Sequence, residues 1–231
     1  MKKILLCALS IAMMSCSLFL EDVDKQKQEG DIDFTVRPNT IVYTAEQKLG
    51  TSKLSDTENA LYTAEMNETL ETHVYNTQTK KGLLRFNRAI TIIPQLFDNC
   101  PSITEVALPT TLRELSGAAL RGTNITTLVV PDSVKEIGNY ALAECHELRK
   151  VTFPAGLTKI GTHALENTGK LDTMVFLGTT PPWCYSDAMF KAGYFAVIGD
   201  TTKVLVPKGC IEAYKKAICC QLYVFAFREM E

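Results

Sequence analysis

The stretch LVVPDSVKEIGNYALAECHELRK, residues 128–150, is one copy of a unit that recurs through the middle of this chain. Equivalent units begin at Leu84, Val106, Val151 and Met174, so the repeat length is 22 or 23 residues. Self-similarity at this period is typical of a stacked solenoid, in which one unit is too small to bury its own apolar face. The repeat predicts an architecture that presents a long surface, which favours binding over catalysis.

Within the quoted unit the pattern predicts a short strand followed by turns. Leu128 and Val130 alternate with an outward Val129, as in a half-buried strand. Pro131 ends the pairing because proline has no N–H, and Gly138 permits a bend closed to larger residues. We predict a mainly β repeat solenoid in which short strands form one parallel sheet. These strands are residues 84–86, 106–108, 128–130, 151–153 and 174–176.

The repeated slots resemble the BspA-like leucine-rich repeat proteins of Bacteroides-type bacteria. The third and fourth units match that family's pattern, L-x-x-V-x-I-P-x-x-V-x-x-I-G-x-x-A-F-x-x-C, except that Leu142 and Leu165 replace its Phe. The resemblance covers about residues 40–220, including an entry segment that starts near Ile41 and a closing segment that ends near Tyr214. It implies a leucine-rich repeat fold, and members of the family are known or presumed surface adhesins that bind host or partner proteins.

The chain divides into five parts on composition and pattern. Residues 1–15 are predicted to be a lipoprotein signal peptide and residues 16–33, which turn polar after Leu20, a flexible tether. Residues 34–83 contain alternating stretches predicted to form a β-rich N-terminal cap, residues 84–177 carry the repeats, and residues 178–231 form a strand-helix C-terminal cap. Caps are expected because an open solenoid end exposes its core.

The predicted anchor is Cys16. Lys2 and Lys3 precede an apolar run too short to form a stable span, and Ser15-Cys16 follows it, with Met13 in place of the usual Leu. This junction predicts lipidation, hence attachment to the bacterial outer membrane or cell surface through acyl chains alone. If the site is not used, the protein is expected to be secreted.

Little in the sequence indicates chemistry. Cys100 and Cys145 occupy one slot two units apart, roughly 10 Å, beyond the ~7 Å limit for a disulfide, so both are predicted to be buried thiols. Whether Cys184, Cys210, Cys219 or Cys220 forms a disulfide is open. His73, His146 and His163 have no catalytic or zinc spacing, so we predict no enzyme, metal or cofactor. A net charge of −2 gives no reason to expect nucleic acid.

The outward positions of the repeated strands are the candidate binding face. They are Glu105, Ala107, Thr127, Val129, Lys150, Thr152, Thr173 and Val175. The first hypothesis is a non-catalytic module or adhesin that binds a protein partner, such as a host matrix component or another cell-surface protein. A carbohydrate-binding accessory protein of a surface uptake system is the alternative, disfavoured because the face has no aromatic residue. An ordinary solvated sheet in a structural envelope protein also fits.

Overall fold

A computed structural model describes residues 17–18, 32–46, 48–51, 69–184, 202–217 and 226–231. In chain order its N-terminal strands are β1 (Ser17–Leu18), β2 (Thr40–Ala45), β3 (Gly50–Thr51), β4 (Leu70–Asn76), β5 (Lys81–Phe86), β6 (Ile92–Ile93) and β7 (Ile103–Ala107). The later elements are β8 (Glu114–Leu115), β9 (Thr127–Val129), β10 (Glu136–Ile137), β11 (Lys150–Phe153), β12 (Lys159–Ile160), β13 (Thr173–Phe176), β14 (Trp183–Cys184), β15 (Lys203–Val206), α1 (Ile211–Lys216) and β16 (Ala226–Glu229).

The repeats wind as a solenoid with a parallel sheet on one side, which confirms the predicted fold class. This sheet has the order β16-β15-β13-β11-β9, and each neighbouring pair is parallel. The register pairs equivalent residues, so Leu128, Val151 and Met174 stack on the inner side. All three are at most 2% exposed. The inward alternation read from the sequence is therefore correct for these units.

The units also form a second parallel sheet, which the sequence analysis did not predict. Its strands follow the first chain reversal within each unit. Five two-residue strands stack in the order β14-β12-β10-β8-β6. On the next side of the coil, turn backbones bond between units: Leu120 N–H donates to Ala141 C=O at 2.9 Å, and Leu142 N–H donates to Ala164 C=O at 2.8 Å. These hydrogen bonds satisfy buried backbone N–H and C=O groups that are not paired within the short strands.

The first two predicted repeat strands do not join the parallel sheet. Strands β5 and β7, which contain residues 84–86 and 106–107, belong to an antiparallel sheet of order β4-β5-β2-β7. The prediction of one sheet is wrong for them, because β2 from the N-terminal cap lies between β5 and β7. Strands β2 and β4 both lie within residues 34–83, the range predicted to be rich in β-strands.

One continuous apolar core fills the coil and extends into both ends. Tyr43 of the cap packs toward Phe97 with ring centroids 6.3 Å apart, and at the other end Phe176 packs against Tyr214 of α1 at 5.2 Å. Strand β15 and helix α1 lie in the range predicted to form a strand-helix C-terminal cap, and strands β15 and β16 extend the parallel sheet.

The start of the chain differs in one respect from the predicted tether. Ser17–Leu18 pairs in parallel with Gly50–Thr51, so residues 16–33 are not wholly free of pairing. A two-residue pair satisfies backbone groups without an apolar pattern, which is why alternation could not reveal it. Residues 19–31, Cys16 and the predicted signal peptide lie outside the described residues. Among the residues that are described, no helix is long and apolar enough to cross a bilayer.

Candidate functional site

Strand alternation on the outer side of the two sheets builds two rows of side chains. The apolar row runs Val74, Leu83, Val42 and Ala107 across the antiparallel sheet, then Val129, Thr152, Val175, Leu205 and Arg228 across the parallel sheet. The charged row runs Asn76, Lys81, Thr44 and Glu105, then Thr127, Lys150, Thr173 and Lys203. The candidate residues from the sequence occupy the middle of both rows.

Most of the predicted face is accessible, and one residue is not. Glu105, Ala107, Thr127, Val129 and Lys150 are exposed, with Val129 at 71%. Thr152 and Thr173 are partly buried.

The prediction that Val175 is exposed is wrong, since only 7% of it is accessible. It lies on β13, the central strand, where Thr152 and Leu205 flank it on both sides. Alternation predicts which way a side chain points, but how much its neighbours cover it depends on strand order.

A groove opens where the two sheets meet. Strand β7 is the last strand of the antiparallel sheet and β9 is the first of the parallel sheet, and no ladder joins them. The groove has a volume of about 500 Å³ and is lined by Glu105, Ala107, Thr127 and Val129. The other four candidate residues, Lys150, Thr152, Thr173 and Val175, are not part of its lining.

Further lining residues come from the cap and were not predicted. Phe34 and Val36, from the segment before β2, share the groove with Val42, Thr44 and Lys81. Alternating burial along residues 32–37 marks this segment as a packed, extended stretch. The alternation of Ile32, Phe34 and Val36 in the sequence was the available signal. This alternation does not indicate which part of the protein the segment packs against.

The break between the sheets also exposes residues that point inward. Val106 of β7 is only partly buried and lines the groove, whereas its equivalents Leu128 and Val151 are at most 2% exposed. Leu108 lines the groove as well. Because no paired strand covers this side of β7, the groove reaches from the outer face toward the apolar interior.

The electrostatics of the two rows are basic although the chain is acidic overall. Lys81, Lys150, Lys203 and Arg228 are exposed, and Glu105 is the one carboxylate in these rows. Glu105 accepts a hydrogen bond from Thr44 Oγ1 at 3.1 Å. These two rows therefore carry four cations and one carboxylate, although the whole chain has a net charge of −2.

Beneath the cap sheet, on its inner side, lies a buried polar pair. Tyr43 Oη and His73 Nε2 are 2.7 Å apart, and His73 Nδ1 has no hydrogen-bond partner in the described part of the chain. Burial, followed by the nearby Lys48 charge, lowers the pKa of His73 from 6.5 to about 4. Burial also raises the pKa of Tyr43 above its usual value. Both groups are therefore neutral at physiological pH.

The other chemistry-bearing residues serve packing. His163 Nδ1 lies 3.2 Å from a Glu166 carboxylate oxygen, and its ring stacks on Tyr140 at 4.9 Å. His146 bonds to the Asn167 carbonyl, so these histidines belong to separate turns. No three His, Cys, Asp or Glu side chains lie close enough to hold a metal ion in the described ranges.

Of the two cysteines predicted to be buried thiols, the prediction is correct for Cys145 and wrong for Cys100. Cys145 is a buried free thiol as predicted, and burial raises its pKa to about 11, which makes it a poor nucleophile. Cys184 and Cys210 are also buried and are not disulfide-bonded. Cys100 is buried but disulfide-bonded, so the prediction of a thiol there is wrong. Its partner and the predictions for Cys219 and Cys220 lie outside the described residues.

Comparison with known proteins identifies the class. The family model of the BspA type leucine rich repeat region matches residues 70–185 in six copies, half of the 231-residue chain. The chain belongs to the BspA-type leucine-rich repeat family. A search of curated proteins finds no match.

Two solved structures are similar at low identity. A leucine-rich repeat protein from Bacteroides ovatus matches with 17% identity and a TM-score of 0.39 over 52% of this chain and 42% of that one. The pneumococcal vaccine antigen PcpA matches with 15% identity and a TM-score of 0.27 over 58% of this chain and 45% of that one. The chain therefore spans less than half of either protein.

Proposed function

We propose that this protein is a non-catalytic binding module of the bacterial envelope or cell surface that binds a protein partner through the groove between β7 and β9. The single observation that carries the proposal is the groove itself, which combines accessible apolar side chains with a polar rim that contains one lysine, Lys81, and one carboxylate, Glu105. An exposed apolar patch with a polar rim is typical of an interaction site. Val129, which lines the groove and is 71% exposed, is the natural apolar contact.

The composition of the groove favours a protein over a glycan. Carbohydrate sites usually stack sugars on exposed aromatic rings. The two aromatic residues of the groove lining are not exposed: Phe34 is partly buried and Tyr43 is buried. The exposed Trp183 lies on β14, in the second parallel sheet, and is not part of the lining. The core of a protein interface is mostly apolar, and the groove lining is rich in apolar side chains, among them Val36, Val106 and Val129.

Capture on the groove tests this proposal. The mature chain carrying Cys16→Ser is immobilised and exposed to host matrix extracts and to solubilised surface proteins of neighbouring cells. We expect a retained protein to be lost with Val129→Asp, which places a charge at the groove, and kept with Tyr140→Asp. Tyr140 is a matched control because it is also an exposed apolar side chain but lies in a turn outside both rows. Equal retention by both variants would contradict binding at the groove, and binding to arrayed glycans in place of proteins would support the alternative.

The proposed location depends on Cys16. Lipidation there would hold the module at the membrane while leaving the groove free. We expect Cys16→Ser to move the protein from the detergent phase to the aqueous phase without changing its melting temperature. Metabolic lipid labelling of both forms checks the assignment: a wild-type protein that takes up no label and partitions into water is secreted, and the anchor is then absent.

A further inference from the structure

We infer that strand β4 is a self-association surface, at which two copies of this chain join their cap sheets edge to edge. The two β4 strands pair antiparallel about a two-fold axis at Val74. This surface is distinct from the groove, and the inference goes beyond the proposed function. Three observations carry it: β4 has an unpaired outer edge, it lacks the residues that usually protect such an edge, and its side-chain pattern is complementary to itself.

Strand β4 forms one edge of the antiparallel sheet, whose order is β4-β5-β2-β7. Phe86 N–H donates to Asn39 C=O, so the even-numbered residues of β5 direct their backbone groups toward β2. Successive peptide groups along a strand point to opposite edges, so the odd-numbered residues of β5 bond to β4. The even-numbered residues of β4 lie opposite them. The N–H and C=O groups of His73 and Tyr75 therefore point to the open edge, where no described strand pairs with them.

This edge is accessible and lacks the usual protection. None of the seven residues of β4 is buried. Proteins protect exposed edge strands with lysine, proline, other charged side chains or bulges. In β4 the one carboxylate, Glu71, and the bulge both lie near the start of the strand, and residues 72–76 contain no lysine, proline or carboxylate. Strand β16, at the edge of the parallel sheet, instead carries exposed Arg228 and Glu229. An edge such as that of β4 is a template for another strand.

The side chains of β4 fit a second copy in one register. With the two-fold axis at Val74, His73 of one copy lies opposite Tyr75 of the other, so the outward backbone groups meet. Val74 then lies opposite Val74, and Thr72 lies opposite Asn76. Apolar side chains meet apolar ones, polar meet polar, and no like charges are opposed. A shift by two residues would place Val74 opposite Thr72 or Asn76 and mix the two kinds.

The same register makes the outer surfaces of the two copies continuous. In each copy the apolar row runs from Val74 through Leu83 and Val42 to Ala107. A two-fold axis perpendicular to the sheet joins the Val74 ends, so one apolar row crosses both cap sheets. Strand β7 is the opposite edge of each cap sheet. Association through β4 therefore leaves the groove of each copy accessible, and the dimer presents two of them.

Sedimentation measures the association. The whole mature chain carrying Cys16→Ser is examined from about 1 μM to about 1 mM, a range that covers weak, reversible pairing. We expect the mass to rise with concentration from monomer to dimer. Val74→Asp opposes two carboxylates at the axis and should raise the dissociation constant by about tenfold or more. Ala107→Asp, with the same charge at the other end of the same row, should leave dimerisation unchanged.

A cysteine at the axis tests the register. Opposed residues of a non-hydrogen-bonded antiparallel pair have Cα atoms about 4.5 Å apart, within the range for a disulfide. Val74→Cys should therefore give a covalent dimer on mild oxidation. Thr72→Cys is the matched control, since it is also partly buried. The two copies of residue 72 lie about four residues apart along the paired strands, roughly 14 Å, which exceeds the ~7 Å limit. Melting curves establish that each variant is folded.

The outcomes decide the inference independently of the groove. A protein that stays monomeric over the whole concentration range overturns it. So does a dimer that Val74→Asp does not weaken, or a Val74→Cys protein that cross-links no faster than Thr72→Cys, because either result places the contact elsewhere. A monomeric protein whose captured partner is lost with Val129→Asp would support the proposed function while this inference fails.

Discussion

At the scale of the residue, His73 shows how burial converts a titratable group into a structural one. Its imidazole is held against the Tyr43 hydroxyl, and its Nδ1 lacks a described partner. The neutral ring tolerates this because a buried charge without a counter-ion is far more costly than a neutral polar atom. The histidine is thus a pH-dependent part of the cap.

The lowered pKa predicts a loss of stability on acidification. The unfolded chain binds a proton to His73 near pH 6.5, and the folded protein does so only near pH 4. Stability that is complete above about pH 6.5 is therefore lost progressively as the pH falls toward about 4, by up to about 3 kcal/mol. Urea unfolding between about pH 7.5 and 5 should show this slope, and His73→Gln should flatten it. His146→Gln, at an exposed site, should keep it, and equal slopes in wild type and His73→Gln would contradict the assignment.

Gly138 is a residue whose importance was predicted correctly from the sequence but for a different physical reason. Gly138 was expected to supply a special backbone bend, yet its φ is not positive. A Cβ at this position would stand 2.6 Å from the backbone nitrogen of Gly117 and the carbonyl carbon of Ser116. The glycine is needed because adjacent units approach closely. Such packing between units is invisible in one unit's pattern.

At the scale of the element, this close approach predicts a difference between two glycines. Gly138→Ala places a methyl group against backbone that cannot move aside, and should destabilise the fold by about 1–3 kcal/mol. Gly156→Ala meets the flexible end of the Lys135 side chain and should change stability by less than about 0.5 kcal/mol. Thermal unfolding of the pair measures the difference. Similar melting temperatures would show that the units are not stacked in this register.

Helix α1 closes the C-terminal end through Tyr214, which gives a second prediction at this scale. The Tyr214 hydroxyl donates to Gly178 C=O at 2.8 Å, and the side chain is 1% exposed. Tyr214→Phe leaves that buried carbonyl without this donor and should cost about 1–2 kcal/mol of unfolding free energy.

The neighbouring Lys215→Ala is the control for that measurement. It removes an exposed ion pair to Glu212 and should cost less than about 0.5 kcal/mol. Chemical denaturation of both variants measures the two costs. A Tyr214→Phe protein as stable as the wild type would mean that α1 does not cap the core.

For the whole molecule, the sequence predicted correctly how the regular repeats stack, but it did not predict how the first repeats join the N-terminal cap. The period of 22 or 23 residues determines which residues stack, so Leu128, Val151 and Met174 could be placed by spacing alone. Strand partners at the N-terminal end depend on β2, which comes from far upstream and inserts between β5 and β7. No local pattern in Leu84–Phe86 or Val106–Leu108 contains that information.

The candidate binding site was likewise predicted only in part. Four of the eight predicted face residues line the groove because alternation gave their direction correctly. The groove itself could not be predicted, since it exists only where the two sheets separate. Phe34, Val36 and Lys81 were missed because they reach it through tertiary packing.

Amide hydrogen exchange resolved by NMR tests whether the sheet is interrupted between β7 and β9. In the ligand-free protein, the amide of Val130, which donates to Thr152, should exchange slowly. The amides of Val106, Thr127 and Val129, on the open edges, should exchange orders of magnitude faster although they lie in strands of the same sheets. Slow exchange at all three, equal to that of Val130, would mean that β7 and β9 are paired, that the groove is closed and that the proposed docking site does not exist.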